Sequence, residues 1–267
     1  MALPRFFIDG DQAQQAPAPA AELFLSRDTE AYHHITHVLR LAKGEQVEIV
    51  LRDAWTAWLC EIEQLDETGV QFRYLEAIES AQLPFETTLV LGFSKGDTNE
   101  RVVRQATELG VSRIIPTLFE RSISRPDPKK AQTKIERLRK IAVSAAQQSH
   151  RSDLPQVEEL QSFEEMLVFI NALQADLIAV PWEEEQHTAL SELIEKTALP
   201  ELPQTFKLVL VIGPEGGIST SEIAQLRELD ACSLSLGPTI LRVDTAACAA
   251  LAIAHDTLAK KYGSLLY

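Results

Sequence analysis

Two glycine-bearing turns in the last third of the chain are of the kind that lets backbone approach a small ligand. The first, Gly213-Pro214-Glu215-Gly216-Gly217, follows the apolar run LVLVI and leads into Ser219-Thr220-Ser221-Glu222, the spacing of a capping box at a helix start. Ligands of parallel sheets collect at the carboxyl ends of strands, and glycine tolerates the close approach and positive φ such loops need. The pattern is neither GxGxxG nor GxxxxGK[ST], so the dinucleotide and P-loop fingerprints are absent. Read alone, the loop is a ligand site at a sheet edge or a tight strand-to-helix turn. The second turn, Leu236-Gly237-Pro238, leads through Thr239-Ile240-Leu241 to Arg242-Val243-Asp244-Thr245. Arg242 and Thr245 fall at a helix start, where unpaired N–H groups and polar side chains can face a ligand; Asp244 or Thr245 can equally serve as a helix cap.

A third feature is charge. The chain of 267 residues carries a formal charge of −14, yet residues 95–151 hold 13 Lys/Arg against six acids, a local excess of +7 beside −21 elsewhere. Such asymmetry marks either a polyanion-binding face or a solvated helix surface. The cations fall at Lys95, Arg121, Arg125, Lys134, Arg137, Lys140 and Arg151, among others.

The elements that must position these residues are of two kinds. Up to about residue 80 the chain reads as short strands: RFFI (5–8), QVEIVL, TAWLCEI and GVQFRYLEAI, with a helix over 29–40 capped by Asp28, and DQAQQAPAPA (11–20) as an irregular connection. Strands so spaced predict a small barrel. Beyond a boundary near Leu83-Pro84 the period changes. Strands at 87–93, 113–118, 177–181, 208–213 and 232–237 alternate with helices. One helix carries Val102, Val103 and Ala106 before Gly110, another spans 129–149, and an Ala-rich one covers 243–261. On 129–149, Ile135, Leu138, Ile141, Ala142 and Ala145 share one face, and Lys130, Lys134, Arg137 and Lys140 another. This alternation is that of a parallel α/β sheet. The expected domains are 1–82 and 83–267.

Composition is that of a globular protein, 45% hydrophobic and 24% charged. No apolar run approaches the ~20 residues that span a bilayer, and MALPRFFIDG lacks the regions of a signal peptide. Three widely spaced cysteines (Cys60, Cys232, Cys248) fit a reducing cytoplasm rather than a disulfide framework. Cys232 and Cys248 read as small buried hydrophobes. His33 and His37 have i, i+4 spacing but no third ligand of the right type nearby, so no metal is expected. Trp55 and Trp58 fit core packing or base stacking.

Taken together, GPEGG and LGPxILRxxTA, with SKGDxxE, TELGVxxIxP, ERS and KIAxxAxxQSxR upstream, closely resemble the bacterial 16S ribosomal RNA (uracil-N3)-methyltransferases of the SPOUT superfamily. The likeness covers nearly the whole chain, and HHITHVLRLAKGEQVEI (33–49) is similar to that family's PUA-like RNA-binding barrel. The resemblance implies a C-terminal trefoil-knotted α/β domain after the barrel and a cytoplasmic homodimer with its active site near the subunit interface. It implies S-adenosylmethionine as cofactor and 16S rRNA or the small ribosomal subunit as partner, with no membrane and no metal. It implies a cofactor pocket of three loops: Val180 and Pro181; Ile212, Gly213, Glu215 and Gly217; Leu236, Gly237, Leu241, Arg242 and Thr245.

Uracil N3 is a poor nucleophile until its proton leaves, and a cation near O2 or O4 would stabilise the charge that develops. Arg242 is the first candidate for that catalytic role, or it orders the cofactor loop; Glu215 and Asp244 are the candidate bases. Lys95, Arg121, Arg125, Arg151 and the helix cations Lys134, Arg137 and Lys140 would contact RNA phosphates. The chain departs from the family pattern at Thr239 (usually Arg), Asp244 (usually Glu) and Gln147 (commonly Glu). The alternatives are a related SPOUT enzyme with another base or ribose target, and an RNA-binding module without turnover.

Overall fold

The computed structural model describes residues 3–8, 22–51, 57–78, 83–201 and 203–263. The chain forms two compact units, Met1–Ala81 with Ala146–Leu154, and Gln82–Ala145 with Pro155–Tyr267.

In the first unit β1 (Arg5–Ile8), β2 (Glu22–Ser26), β3 (Gln46–Leu51), β4 (Ala57–Asp66) and β5 (Gly69–Ile78) make one sheet in the order β1-β3-β4-β5-β2. Only β1 and β3 run parallel. Alternate residues enter the core, among them Phe6 and Ile8, Leu23 and Leu25, Val47 and Ile49, and Val70 and Phe72. Register shifts at Leu59/Cys60 and Ile62/Gln64 bend β4. Trp58 is a core residue, whereas Trp55 and the connection at 11–20 lie outside the described residues. Burial pushes the Cys60 thiol up to about 12. Cys232 and Cys248 are only half-buried, contrary to the expectation that they pack inside.

The expected helix over 29–40 is shorter and differently capped. Thr29, not Asp28, accepts the Tyr32 N–H at 3.1 Å, and α1 (Glu30–His33) passes at once into a π-helical turn, His34–Val38. Thr36 Oγ1 donates to the Tyr32 carbonyl at 2.8 Å, a back-bond that competes with regular helix geometry. Arg40 then ends the segment at φ +53°. The His33 and His37 rings stack at 4.6 Å.

The second unit is a wholly parallel sheet, β12-β10-β11-β6-β7-β8, with β9 also on β7. Its strands are β6 (Phe85–Gly92), β7 (Arg113–Leu118), β8 (Gln156–Val157), β9 (Gln161–Ser162), β10 (Leu177–Pro181), β11 (Phe206–Ile212) and β12 (Cys232–Leu234). Its helices are α2 (Thr98–Glu108), α3 (Pro128–Gln148), α4 (Phe163–Leu173), α5 (Leu190–Lys196), α6 (Thr220–Arg227) and α7 (Val243–Lys261). Strand residues alternate between two cores. Leu89, Leu91, Leu208 and Leu210 pack with residues of α2, α3, α5 and α7, and Val90, Val209, Val211 and Val180 with residues of α4 and α6. Burial on both faces is why these strands are continuous apolar runs.

Among the described residues no helix is long and apolar enough to cross a membrane, and no three or more His, Cys, Asp or Glu group as metal ligands would.

Candidate cofactor cleft and RNA-facing turn

Three loops leave the carboxyl ends of adjacent strands and meet. The first follows β10, the second β11 and the third β12. Trp182 N–H donates to the Leu234 carbonyl at 3.0 Å and Ser235 N–H to the Thr188 carbonyl at 2.8 Å, which stitches the first loop to the third. Inside the first loop Glu185 accepts the N–H groups of Gln186, His187 and Thr188 at 3.1, 2.9 and 3.3 Å, and these bonds, His187 foremost, hold its carboxyl below the usual range. The second loop closes with Gly217 N–H on Pro214 O at 2.9 Å. Gly217 sits at φ +75°, and a Cβ there would lie 2.9 Å from a Glu183 carboxylate oxygen, so the first and second loops also touch. In the third loop Gly237 adopts φ +120° facing open space.

The loops enclose two adjoining cavities of about 590 and 420 Å³, both lined by Pro181, Trp182, Glu183, Ile240, Leu241 and Ala246. Leu236 and Gly237 line the larger; Ile212, Gly213, Glu215, Gly217 and Arg242 line the smaller. Nine of the eleven expected cofactor residues therefore come together. Val180 is packed in the core beneath, and Thr245 is exposed on the first turn of α7 outside either lining.

Arg101 and Trp182 are cleft residues that sequence reasoning missed. Arg101 Nε donates to Asp244 Oδ2 at 3.2 Å and Nη1 to Asp97 Oδ1 at 2.5 Å. These bonds, that to Asp97 first, raise the guanidinium's pKa and lower that of Asp97. Trp182 carries the Arg227 guanidinium 5.5 Å above its ring. The visible signal for Trp182 was its place directly after the third apolar run.

Arg242 is the N-cap residue of α7, with φ −67° and ψ 157°, and its side chain is exposed. Ser219 and Glu222 form the expected capping box of α6, with Glu222 Oε2 accepting Ser219 N–H at 2.9 Å.

The expected RNA contacts divide among four places. Arg121 and Arg125 share the turn after β7, where Arg121 Nη1 donates to Gly216 O at 3.3 Å and Arg125 Nη2 to the Phe119 and Glu120 carbonyls at 2.9 and 3.0 Å. Lys95 is exposed after β6, and Lys134, Arg137 and Lys140 are exposed on α3. Lys134 Nζ lies 5.0 Å from the centre of the Phe93 ring, and Arg137 pairs with Glu100 at 2.8 Å. Arg151 belongs to the first unit, where both guanidinium edges engage Asp153.

The model of the RNA methyltransferase domain family matches residues 81–255, and that of the RNA methyltransferase PUA domain matches residues 27–74. The ribosomal RNA small subunit methyltransferase E of Bacillus subtilis (strain 168) is 34% identical over 95% of this chain and 96% of its own. A Legionella pneumophila protein described as a methyltransferase, solved with the cofactor SAM bound, superposes with a TM-score of 0.80 at 26% identity over 98% of both chains. The ribosomal RNA small subunit methyltransferase E of Neisseria gonorrhoeae, bound to S-adenosyl methionine, shares the fold at a TM-score of 0.78 and 24% identity, over 96% of this chain and 98% of its own.

Proposed function

We propose, from the premise that this chain belongs to the ribosomal RNA small subunit methyltransferase E family, that it methylates N3 of one uridine in 16S rRNA with S-adenosylmethionine. The observation that carries this reading is the convergence of three loops on one cleft bordered by Arg242. The cleft suits the cofactor. Its cavities fall in the range of small-molecule sites, its walls are apolar at Ile212, Leu236 and Leu241, and Glu183, Glu215 and Asp244 supply negative charge toward a sulfonium. The first loop would hold it through Pro181, the second through Ile212, Gly213, Glu215 and Gly217, and the third through Leu236, Gly237 and Leu241, with Arg242 at the border of the cleft.

The cofactor, when bound, supplies a methyl on a good leaving group, so the protein's task is positioning. Arg242 stabilises the imidate charge on the uracil oxygens. Of the two candidate bases, Asp244 is already engaged by Arg101, which favours Glu215 as the carboxylate that takes the N3 proton. N3 is hidden in a paired duplex, so the target base is unpaired or flipped. In this reading the first unit, Met1–Ala81 with Ala146–Leu154, is the RNA-binding PUA-like domain, and the second, Gln82–Ala145 with Pro155–Tyr267, is the catalytic domain with its knot. The enzyme works in the cytoplasm as a homodimer whose active site lies near the subunit interface.

Mass mapping of small-subunit rRNA from a strain lacking the gene tests the reaction. One base methyl on a uridine should disappear and return with the wild-type gene. Loss of a ribose methyl would move the chain to another reaction, and an unchanged map would overturn the reading.

Lys95, Arg121, Arg125, Lys134, Arg137, Lys140 and Arg151 are the phosphate contacts of this reading. Each phosphate contact to single-stranded nucleic acid contributes about 0.7 to the slope of log affinity against log salt. Replacing Lys134, Arg137 and Lys140 by Ala should flatten that slope by about 2. The surface pair Arg137–Glu100 is worth only ~0–1 kcal/mol, so melting should change little. An unaltered salt slope would place the RNA elsewhere.

A further inference from the structure

Glu222 is a carboxylate only 4% exposed, and the chemistry above makes no use of it. Its Oε2 accepts the Ser219 N–H at 2.9 Å and the Ser219 hydroxyl at 3.1 Å, which fixes the end of the cofactor loop. Its Oε1 reaches out of that loop and accepts the Glu120 N–H at 2.7 Å, on the turn that carries Arg121 and Arg125. Two further contacts join the same segments. Ser221 Oγ donates to Glu120 Oε2 at 3.2 Å, and Arg121 Nη1 donates to the Gly216 carbonyl at 3.3 Å. The fit between them is tight, for a Cβ on Gly216 would lie 2.8 Å from the Arg121 carbonyl oxygen. A buried carboxylate that bridges two backbones transmits displacement, because losing either partner leaves a charge or a donor uncompensated in a low-dielectric site.

We propose that Glu222 is a positioning residue that couples the RNA-facing turn after β7 to the cofactor loop after β11, so that RNA binding raises affinity for the cofactor. The proposal rests on the function proposed above. Coupling of this kind is reciprocal, so the cofactor raises affinity for RNA by the same factor.

The test measures binding of S-adenosylhomocysteine, which cannot react, to the full chain with and without saturating small ribosomal subunits from the deletion strain. In Glu222→Gln the amide retains one oxygen, enough for Glu120 or Ser219 but not both. Gly216→Ala wedges the turn from the loop and leaves the Ser219–Glu222 cap intact, which keeps the test decisive if Glu222→Gln folds poorly. The wild type should bind at least about five-fold tighter with subunits present, and both variants should lose most of that factor, to below about two-fold. A purely structural role would lower both affinities and leave their ratio alone. Equal ratios in wild type and variants, or a wild-type ratio of one, would overturn the proposal. A wild type that binds neither S-adenosylhomocysteine nor subunits fails the proposed function instead.

Discussion

Arg242→Ala should lower turnover by about 10²–10³-fold and change cofactor affinity by less than a few-fold. Past the end of β12 the chain leaves the sheet at Leu234 and returns to helix at Val243. Arg242 is the last residue before that helix, extended at ψ 157° and exposed beside the cavity lined by Ile212, Gly213 and Glu215. Negative charge develops on the uracil oxygens only as N3 gives up its proton. A cation aimed there acts on the transition state more than on the bound substrate, and its loss appears in kcat. A residue that merely ordered the third loop would behave differently, since its loss would weaken cofactor binding and saturating cofactor would restore turnover. Arg242→Lys should recover part of the rate, because charge survives while the planar fork is lost. The deficit of Arg242→Ala should also shrink as pH rises, because solvent then removes the N3 proton and less charge has to form at the transition state. Single-turnover rates at saturating S-adenosylmethionine across pH measure both effects. Normal turnover in Arg242→Ala would remove the residue from the chemistry.

What could be read from residue order, and what could not, follows from how far each signal reaches. Runs buried on both faces, such as 177–181 and 113–118, match β10 and β7 because all or most of their residues are apolar. The same uniformity hides which side chain meets which core: Val209 and Leu210 look alike in sequence yet enter opposite layers. The strand read at 232–237 stops at Leu234, because Ser235 Oγ turns to accept the Gly237 N–H and the chain bends away as the cleft wall. Helix α4 was missed although Ser162 and Glu165 spell a capping box. Helix α5 was missed because seven residues give too short a period. β2 was missed because its two buried residues, Leu23 and Leu25, flank an exposed Phe24 in a run of only five. Gly213 and Gly237 were legible as turn residues able to approach a ligand because each lies in a glycine-bearing turn after an apolar run, whereas Pro181 was implied by the family resemblance. Arg101 was not, because its partner Asp244 lies 143 residues on and meets it only through the packing of α2 on α7.

Gly92→Ala should abolish measurable cofactor binding, a loss of at least about 100-fold, from a single added methyl. Gly92 ends β6 beside β11, and a Cβ at this position would lie 2.2 Å from Pro214 N, 2.5 Å from the Gly213 carbonyl carbon and 2.7 Å from Pro214 Cδ. Backbone atoms and a proline ring fixed to backbone cannot swing aside as a flexible side chain would. Strand β6 is held by the ladder that pairs Leu91 with Ile212, so the Gly213–Gly217 loop must give way. Displacement of about 1 Å in a loop that positions reactants is enough for an effect of this size. Overpacking of a single methyl costs ~1–3 kcal/mol, so melting should fall by about 2–10 °C and the fold should persist. Gly44→Ala is the control. Gly44 adopts φ +91°, and a Cβ at that position would meet nothing within 4 Å, so alanine there strains the backbone by ~1–2 kcal/mol without wedging anything apart. Calorimetry with S-adenosylmethionine should find the Gly44→Ala chain binding like wild type and the Gly92→Ala chain silent. Wild-type affinity in Gly92→Ala would mean that the glycine-rich loop after β11 does not grip the cofactor, and the cleft would have to be reassigned.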